Sequence, residues 1–468
     1  MTLAIVLSIY LFKGIIAQAQ EIPTITVKNF QSGISTHYIG ACEGNVNFDL
    51  DDLQDLGMNT YRIYGGMSRW EYEDDDGKYG LPSIAEIKTN PNIINWEWWN
   101  KVMINPPNGS DYWWSGSASD VWQGNAQTIF SNLKQANIRP ILTIRNADNN
   151  WNPSWALQLN PPRTEEDWNE WWEHVFATVY WLNVRNDYQV NDFEIHNEPD
   201  NRDQGWGGTQ ADYFELVRVA EDAIDYVYKT YLPGRIYHIH APTTVGGSRW
   251  PGDTLREIPT YFDSMNIHDY AADISEYTQK VHTWMNGTIH YKSPIWLGEW
   301  GTYTTGYDDL NFAINLIKNM IRGSQPGNNY IYGSHIFSLY DWGKDGGFKG
   351  ILGANGKRSI SYYALRMGIR ALQGGRPTFL TSVSNPDLTA ITTQDNQGKI
   401  DLLVTNSGKI SYSVDTDISE LILKGTGKIW EFSAKVMDEI VDNVIVVRGH
   451  ASLEILPNAA ILIEFQAD

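Results

Sequence analysis

The sequence of 468 residues contains little cysteine, little positive charge and few long apolar runs. Its single cysteine, Cys42, excludes an internal disulfide framework. Lysine and arginine number 35 against 56 acidic residues, and the formal net charge of −21 argues against a nucleic-acid partner, whose phosphates require a basic surface. Beyond residue 19, no segment has the roughly 18 consecutive apolar residues of a membrane helix, so no membrane span is predicted.

Residues 1–19 resemble an export signal. An apolar run from Leu3 to Ile16 precedes Ala17-Gln18-Ala19, which matches an A-x-A cleavage site. The match is incomplete, because Lys13 lies inside the run and no basic residue comes before it. We expect residues 1–19 to be a signal peptide and the protein to be exported to the periplasm, the cell surface or the medium.

Aromatic residues are abundant, with 20 tryptophans and 26 tyrosines, whereas charged residues make up only 19% of the chain. Flat aromatic faces stack on the C–H faces of sugar rings, so this composition suits a carbohydrate-binding protein. Large aromatics equally fill a large core, and composition alone leaves both explanations open.

Eight short apolar segments alternate with helical segments between residues 37 and 372. This alternation predicts an α/β fold, a closed (β/α)8 TIM barrel, in which catalytic groups lie at the C-terminal ends of the strands. The predicted barrel strands are His37–Cys42, Thr60–Tyr64, Pro140–Arg145, the strand before Glu198, Ile236–Ala241, Ser264–His268, the strand before Glu299, and Tyr332–Leu339.

From about residue 374 the helical pattern gives way to short alternating runs separated by Gly, Asn and Asp turns. This pattern predicts a C-terminal antiparallel β-sandwich over 374–468, after a barrel domain over 20–373. Residues 20–36 are extended and β-branched, and we expect them to add a strand to the sandwich. The predicted strands are Thr389–Thr393, Ile400–Thr405, Lys428–Phe432, Val444–Arg448 and Ala460–Phe465.

A long insertion, Gly65 to Ala118, follows the second barrel strand and is rich in tryptophan. Long loops at this rim of a barrel usually build the binding site. We expect most of these tryptophans to pack the insertion against the barrel and one or two to face a ligand. The acidic run Glu73–Asp76 could bind calcium, but its spacing matches no defined calcium loop, and a solvated acidic loop explains it as well.

Two glutamates end two apolar strands and are the strongest functional signal. Glu198 follows Asp192–His196, five residues that alternate like a barrel strand, and precedes Pro199, which cannot continue a strand and is expected to end it directly after Glu198. Glu299 ends the segment 294–301 in a Gly- and Trp-rich setting. Two carboxyl groups at barrel strand ends are the minimum equipment for acid/base-assisted hydrolysis of a glycoside.

The neighbours of these glutamates suggest separate roles for them. Asn197 could hydrogen-bond a sugar hydroxyl beside the reacting carbon, and Gly298 permits close approach next to Glu299. We assign Glu198 as general acid and then base, and Glu299 as the nucleophile, since their environments must separate their pKa values. Asn197 and Trp300 are assigned to substrate binding.

Asn197-Glu198-Pro199 after the fourth strand and Glu299 at the end of the seventh resemble clan A glycoside hydrolases over the whole barrel. The trailing β-sandwich makes glycoside hydrolase family 39, which is β-xylosidase-like, the best match, followed by families 5, 30 and 51. The resemblance implies a retaining mechanism. These motifs are specific for the clan and weak for the family.

The resemblance assigns further roles to four residues. Arg62, at the end of the second strand, matches the clan's arginine that keeps the nucleophile ionised, although a barrel salt bridge would look the same. His268 and Tyr270 match the sixth-strand pair that lines the site, in which the tyrosine hydroxyl donates to the nucleophile. Trp342, after the eighth strand, matches the clan's sugar-stacking platform.

Two candidates lie at other strand ends. Glu43, after the first strand, is a candidate ligand for a sugar hydroxyl. Arg145 ends the third strand, where many family 5 enzymes have a histidine, and could join Arg62 and Arg249 in a positive patch suited to a sulfated or uronic sugar. This departure, like the long insertion, puts any transfer of substrate identity in doubt.

The sequence therefore predicts an exported retaining glycoside hydrolase that needs no cofactor and no metal. It would cleave β-glycosidic bonds of a plant or algal polysaccharide or oligosaccharide. A glycan-binding protein on a catalytically inactive barrel is the alternative from another class, and a transglycosylase would share the covalent intermediate. Sugar identity, endo or exo action and oligomeric state are not predicted.

Overall fold

The computed structural model describes residues 22–42, 50–71, 81–104, 125–146, 161–202, 206–302, 306–325, 327, 330–340, 350–353 and 356–467. Two predicted site residues, Glu43 and Trp342, lie outside these ranges, as do the predicted signal peptide and the acidic run Glu73–Asp76.

A strand outside the barrel, β1 (Thr24–Ile34), opens the described chain, and eight parallel strands then close into a barrel in sequence order. The last barrel strand pairs with the first, through Tyr38 opposite Gly333. The barrel strands are β2 (Tyr38–Cys42), β3 (Thr60–Gly66), β4 (Arg139–Arg145), β5 (Asp192–Ile195), β6 (His238–Thr244), β7 (Ser264–Asp269), β8 (Ile295–Gly301) and β9 (Gly333–Phe337).

Helices surround the barrel and begin where the sequence supplies capping residues. Thr164 and Thr209 each accept a hydrogen bond from a backbone N–H in the first helical turn, and an Asp three residues later bonds back to the cap. The α-helices are α1 (Leu50–Leu56), α2 (Met67–Trp70), α3 (Ile84–Thr89), α4 (Trp96–Ile104), α5 (Ala126–Gln135), α6 (Glu165–Val179), α7 (Gln210–Tyr231), α8 (Trp250–Glu257), α9 (Ser275–Met285), α10 (Leu310–Gly323) and α11 (Ile360–Leu372). A π-helix over Tyr180–Arg185 continues α6.

Nine strands form a second, mostly antiparallel sheet that closes on itself. β1 joins this sheet, pairing antiparallel with the strand that follows the last barrel helix and parallel with the strand Tyr412–Asp417. Its other members are β10 (Pro377–Val383), β11 (Leu388–Gln394), β12 (Ile400–Asn406), β13 (Tyr412–Asp417), β14 (Lys424–Phe432), β15 (Met437–Val447), β16 (His450–Ile455) and β17 (Ala459–Ala467). The predicted fold class, a TIM barrel followed by an antiparallel β domain, is confirmed.

The barrel and the second domain pack together through α11. Asp438, on β15, is fully buried and accepts hydrogen bonds from Arg366 and Arg370 of α11 at 2.7 and 2.8 Å. Arg370 also lies 3.9 Å from the centre of the Trp430 ring. The hydrophobic core of the barrel continues into the second domain through Phe432 and Leu462.

The described tryptophans of the long insertion pack inward. Trp70 and Trp99 are buried beside His174 of α6, and Trp96 stacks on Tyr180 with ring centres 5.2 Å apart. Trp98 is also buried, and its ring N–H donates to the Trp70 carbonyl at 2.8 Å, whereas Trp113 and Trp114 lie outside the described residues. Across the part of the chain that the structure describes, every helix is too short or too polar to cross a membrane.

Candidate active site

Glu198 lies in a turn after β5 rather than at the end of the strand. The strand ends at Ile195, three residues earlier than the sequence predicted, because His196 and Glu198 adopt φ angles of 65° and 45° that a strand cannot contain. The backbone N–H of Asn201 bonds to the carbonyl of Glu198 at 2.9 Å and closes the turn. Pro199 therefore lies inside this turn and does not end the strand.

Glu299 lies within β8, next to a glycine that has no room for a side chain. A Cβ on Gly298 would clash with the side-chain oxygen of Asn266, on the neighbouring strand. The amide nitrogen of Asn266 in turn donates to Glu194, deeper in the barrel. Gly298 therefore allows the two strands to approach closely where Glu299 enters the site.

Three side chains donate hydrogen bonds to the Glu299 carboxylate. Arg62 and the Tyr64 hydroxyl contact Oε1 at 2.8 and 2.5 Å, and the Tyr270 hydroxyl contacts Oε2 at 2.6 Å. Burial alone would raise the pKa of Glu299, but the charges of His268 and Arg62 and the two tyrosine hydrogen bonds outweigh it and hold this pKa below its usual value. Glu299 is therefore ionised at neutral pH.

Arg62 links Glu299 to the rest of the barrel interior. Its Nε donates to Glu194 at 2.7 Å and its Nη2 to the side-chain oxygen of Asn197 at 2.8 Å. Burial opposes the charge on Arg62, but Glu194, Tyr64 and Glu299 keep the pKa of the guanidinium well above its usual value. One cation thus pairs with two buried carboxylates and also holds Asn197, the residue before Glu198.

The two glutamates face each other across His268. One carboxylate oxygen of Glu198, one of Glu299 and a ring nitrogen of His268 all lie within 4.8 Å of one another. His268 Nδ1 is 2.8 Å from Glu198 Oε1 and 3.4 Å from Glu299 Oε2. The other oxygen of Glu198 accepts a hydrogen bond from the Asn201 amide at 2.9 Å.

These three side chains are the group, among the described residues, that could hold a metal ion. Glu299 already accepts three hydrogen bonds, and the Arg62 guanidinium 2.8 Å from its Oε1 would repel a cation. The donor set therefore suits proton transfer and nucleophilic attack better than metal coordination.

The structure brings most of the predicted site residues together. Asn197, Arg62, His268 and Tyr270 all lie within hydrogen-bonding distance of one of the two glutamates or of their direct partners. Trp300 is only 2% exposed and belongs to the barrel core, so its assignment to substrate binding stays a prediction.

Arg145 and Arg62 do not form the free positive patch that the sequence suggested. The charge of Arg62 is balanced by Glu194 and Glu299, and Arg145 is buried with its guanidinium carbon 5.2 Å from the centre of the Tyr64 ring. Arg249, by contrast, lies exposed at the start of α8. An anionic substrate therefore gains no support from these arginines.

Two contacts in the site were not predicted. Tyr64 lies two residues after Arg62 on β3, and strand alternation would have placed both side chains on the same face. Asn201 reaches Glu198 only because of the left-handed turn at 196–198, for which the sequence offers no clear signal.

Comparisons with known proteins agree with this fold. No protein-family profile matches the sequence. A curated β-xylosidase from Caldicellulosiruptor saccharolyticus is 23% identical, over 60% of this chain and 61% of that protein. The chain therefore matches less than two thirds of the length of this curated relative.

Solved structures match almost the whole chain. A family 39 β-xylosidase from Caulobacter crescentus superposes with a TM-score of 0.63 at 14% identity, covering 95% of this chain and 99% of that one. A family 30 endoxylanase from Clostridium papyrosolvens C71 has a TM-score of 0.65 at 12% identity, covering 95% of this chain and 100% of that one. The fold is that of clan A glycoside hydrolases. The predicted resemblance to this clan, with family 39 first and family 30 among the runners-up, is thereby confirmed.

Proposed function

We propose that the chain is a retaining glycoside hydrolase that cleaves β-glycosidic bonds of a plant or algal polysaccharide or oligosaccharide by double displacement, without a cofactor. The observation that carries this proposal is the close approach of carboxylate oxygens of Glu198 and Glu299, within 4.8 Å. Retaining enzymes place their two carboxyl groups about 5 Å apart, whereas inverting enzymes leave roughly 6.5–9.5 Å for a water molecule.

In the first step, Glu299 attacks the anomeric carbon of the sugar. A lone pair of its carboxylate forms the new C–O bond, while the glycosidic C–O bond breaks and its electron pair passes to the leaving oxygen. Glu198 donates a proton to that oxygen. The hydrogen bonds from Arg62 and the two tyrosines support this step, because they hold Glu299 ionised and fixed in orientation.

In the second step, Glu198 acts as a base. It takes a proton from a water molecule, whose oxygen attacks the anomeric carbon, and the bond to Glu299 breaks with its electron pair returning to the carboxylate. His268, 2.8 Å from Glu198 Oε1, lies where it can orient Glu198 for both proton transfers. An acceptor other than water would make the same chain a transglycosylase.

The similar proteins guide the choice of substrate. Their names describe a β-xylosidase, an endoxylanase and a glucosidase. We propose β-linked xylosides and glucosides as the first substrates to test. A polysaccharide of this kind lies outside the cell, which supports our proposal that residues 1–19 direct export.

The experiment compares wild type with Glu299→Gln on a panel of β-linked plant and algal polysaccharides and aryl glycosides, following product sizes. The proposal predicts that only wild type releases sugars, with retention of anomeric configuration. Retardation of both proteins on one polysaccharide without product would favour the glycan-binding alternative. Products of inverted configuration would contradict double displacement.

A further inference from the structure

Tyr64 contacts the same oxygen of Glu299 as Arg62. Its hydroxyl lies 2.5 Å from Glu299 Oε1 and accepts a hydrogen bond from Arg62 Nη1 at 2.9 Å. It is also 3.2 Å from the side-chain oxygen of Asn197. A phenol has one proton to donate, and the much shorter contact to a charged carboxylate takes it. Tyr64 therefore donates to Glu299 and accepts from Arg62.

Within the described part of the chain, the two oxygens of Glu299 have different numbers of hydrogen-bond donors. A carboxylate oxygen has two lone pairs in its plane. On Oε1, the hydrogen bonds from Arg62 and Tyr64 occupy both lone pairs. On Oε2, Tyr270 occupies one, while His268 stays at 3.4 Å, beyond the shorter contact that it makes to Glu198. Oε2 therefore keeps a lone pair available, and Oε1 does not.

We propose that Tyr64 is a positioning residue that saturates Oε1 of Glu299 and thereby makes Oε2 the atom that bonds to the sugar. The inference rests on the proposed function and adds the atom that attacks. In the attack, the free lone pair of Oε2 forms the bond to the anomeric carbon, and Oε1 becomes the carbonyl oxygen of the ester. In the second step the electron pair returns to Oε2, and the charge that reappears on the carboxylate is again stabilised at Oε1 by Arg62 and Tyr64.

The surroundings of Tyr64 strengthen it as a donor. The guanidinium carbons of Arg62 and Arg145 lie 4.7 and 5.2 Å from the centre of its ring. Positive charge beside a phenol stabilises negative charge that develops on its oxygen, so the hydroxyl donates a stronger hydrogen bond. This packing gives Arg145 a part in the site that does not require it to contact a substrate.

The effect of Tyr64 on pH dependence has a defined sign. Its hydrogen bond is one of the interactions that lower the pKa of Glu299. Removing it raises that pKa, so the acidic limb of a pH–rate profile moves to higher pH. Among the residues that the structure describes, the other titratable or charged groups around Glu299 are Arg62, Glu198, His268 and Tyr270, with Cys42 beside Arg62 and Tyr270.

The first test compares Tyr64→Phe with Tyr61→Phe, which removes a hydroxyl from the same strand on the face that points away from the barrel interior. Tyr64→Phe should lower kcat/KM roughly 10- to 100-fold, as expected for a lost hydrogen bond to a charged group. The acidic limb of its pH–rate profile should move to higher pH by about one unit. In Tyr61→Phe, the acidic limb of the pH–rate profile should stay at the wild-type pH. A loss of rate with an unmoved limb in Tyr64→Phe would overturn the proposal, because a purely structural role gives that result.

Two measurements do not depend on that variant's activity. A 13C NMR titration of labelled glutamate, assigned with Glu299→Gln, should show a higher pKa for Glu299 in Tyr64→Phe. An unchanged pKa overturns the positioning role even if the protein hydrolyses no glycoside. In wild type trapped with a fluoro-sugar, a crystal structure should show the sugar bonded to the oxygen beside Tyr270 and the carbonyl oxygen beside Tyr64. The reverse arrangement would refute the choice of Oε2. Failure to trap any sugar, with the NMR shift present, would count against the proposed function alone.

Discussion

Glu198 and Glu299 are chemically identical residues whose partners give them different tasks. Glu299 is surrounded by donors from Arg62, Tyr64 and Tyr270, which favour its ionised form. Glu198 is held instead by His268 and by the Asn201 amide, neither of which brings the fixed charge of a guanidinium. The permanent charge of Arg62 therefore stabilises Glu299, the glutamate that must stay ionised.

Replacing Glu198 with alanine tests its role as acid. Glu198→Ala should lose roughly 100- to 10,000-fold in rate on natural glycosides, whose leaving oxygen needs a proton. Aryl glycosides with very good leaving groups should retain far more of their first-step rate, because they depart unprotonated. Pre-steady-state measurement of the released phenol on both substrate classes separates these cases. An equal loss on both classes would remove Glu198 from the acid role.

Strands and helices with strong local signals could be predicted from the sequence, whereas local backbone geometry could not. The barrel strands are short apolar runs between capped helices, and all eight were predicted. In the second domain, β10 and β13 were not predicted, because both carry several polar side chains, such as Ser382 and Asp415, and few apolar ones, which leaves only short apolar alternation.

The candidate site shows the same contrast between residues that the sequence predicts and geometry that it does not. Both glutamates, Arg62, His268 and Tyr270 could be named from the sequence because they lie in or just after the barrel strands and match the motifs of clan A. Their mutual distances could not, because these depend on the left-handed turn at 196–198 and on the close approach of β7 and β8.

The pairing of β7 and β8 depends on Gly298. In Gly298→Ala, the new methyl group would clash with the Asn266 side chain and disturb its contact with Glu194. We expect a loss of about 1–3 kcal/mol in the free energy of unfolding, measured by urea denaturation, together with reduced activity. Gly323→Ala is the control, since its methyl would meet the Ile331 side chain at 3.3 Å, a contact that a shift of a few tenths of an ångström relieves. Wild-type stability in Gly298→Ala would contradict this packing.

The two domains are joined by a buried charge on the β domain and two arginines on the last barrel helix. Asp438 has a φ of 58° and bonds both Arg366 and Arg370. Asn tolerates the same backbone conformation as Asp, so a change to Asn isolates the charge. The arrangement implies that the β domain stabilises the barrel rather than following it as a free module.

Asp438→Asn should therefore lower the free energy of unfolding by about 3 kcal/mol, because two partly buried arginines lose their common partner. Thermal and urea denaturation would measure the loss. Asp442→Asn, on the exposed face of the same strand, should leave stability unchanged. Equal stability in both variants would show that this contact adds nothing to the union of the domains.

The central claim is that Glu299 forms a covalent bond to the sugar, and labelling tests it most directly. Wild type would be incubated with activated 2-fluoro-xyloside and 2-fluoro-glucoside, digested, and sequenced by mass spectrometry, with Glu299→Gln as the control. The account predicts a single added fluoro-sugar on the peptide that contains Glu299 and none on the control. A label on any other residue, or equal labelling of Glu299→Gln, would contradict it.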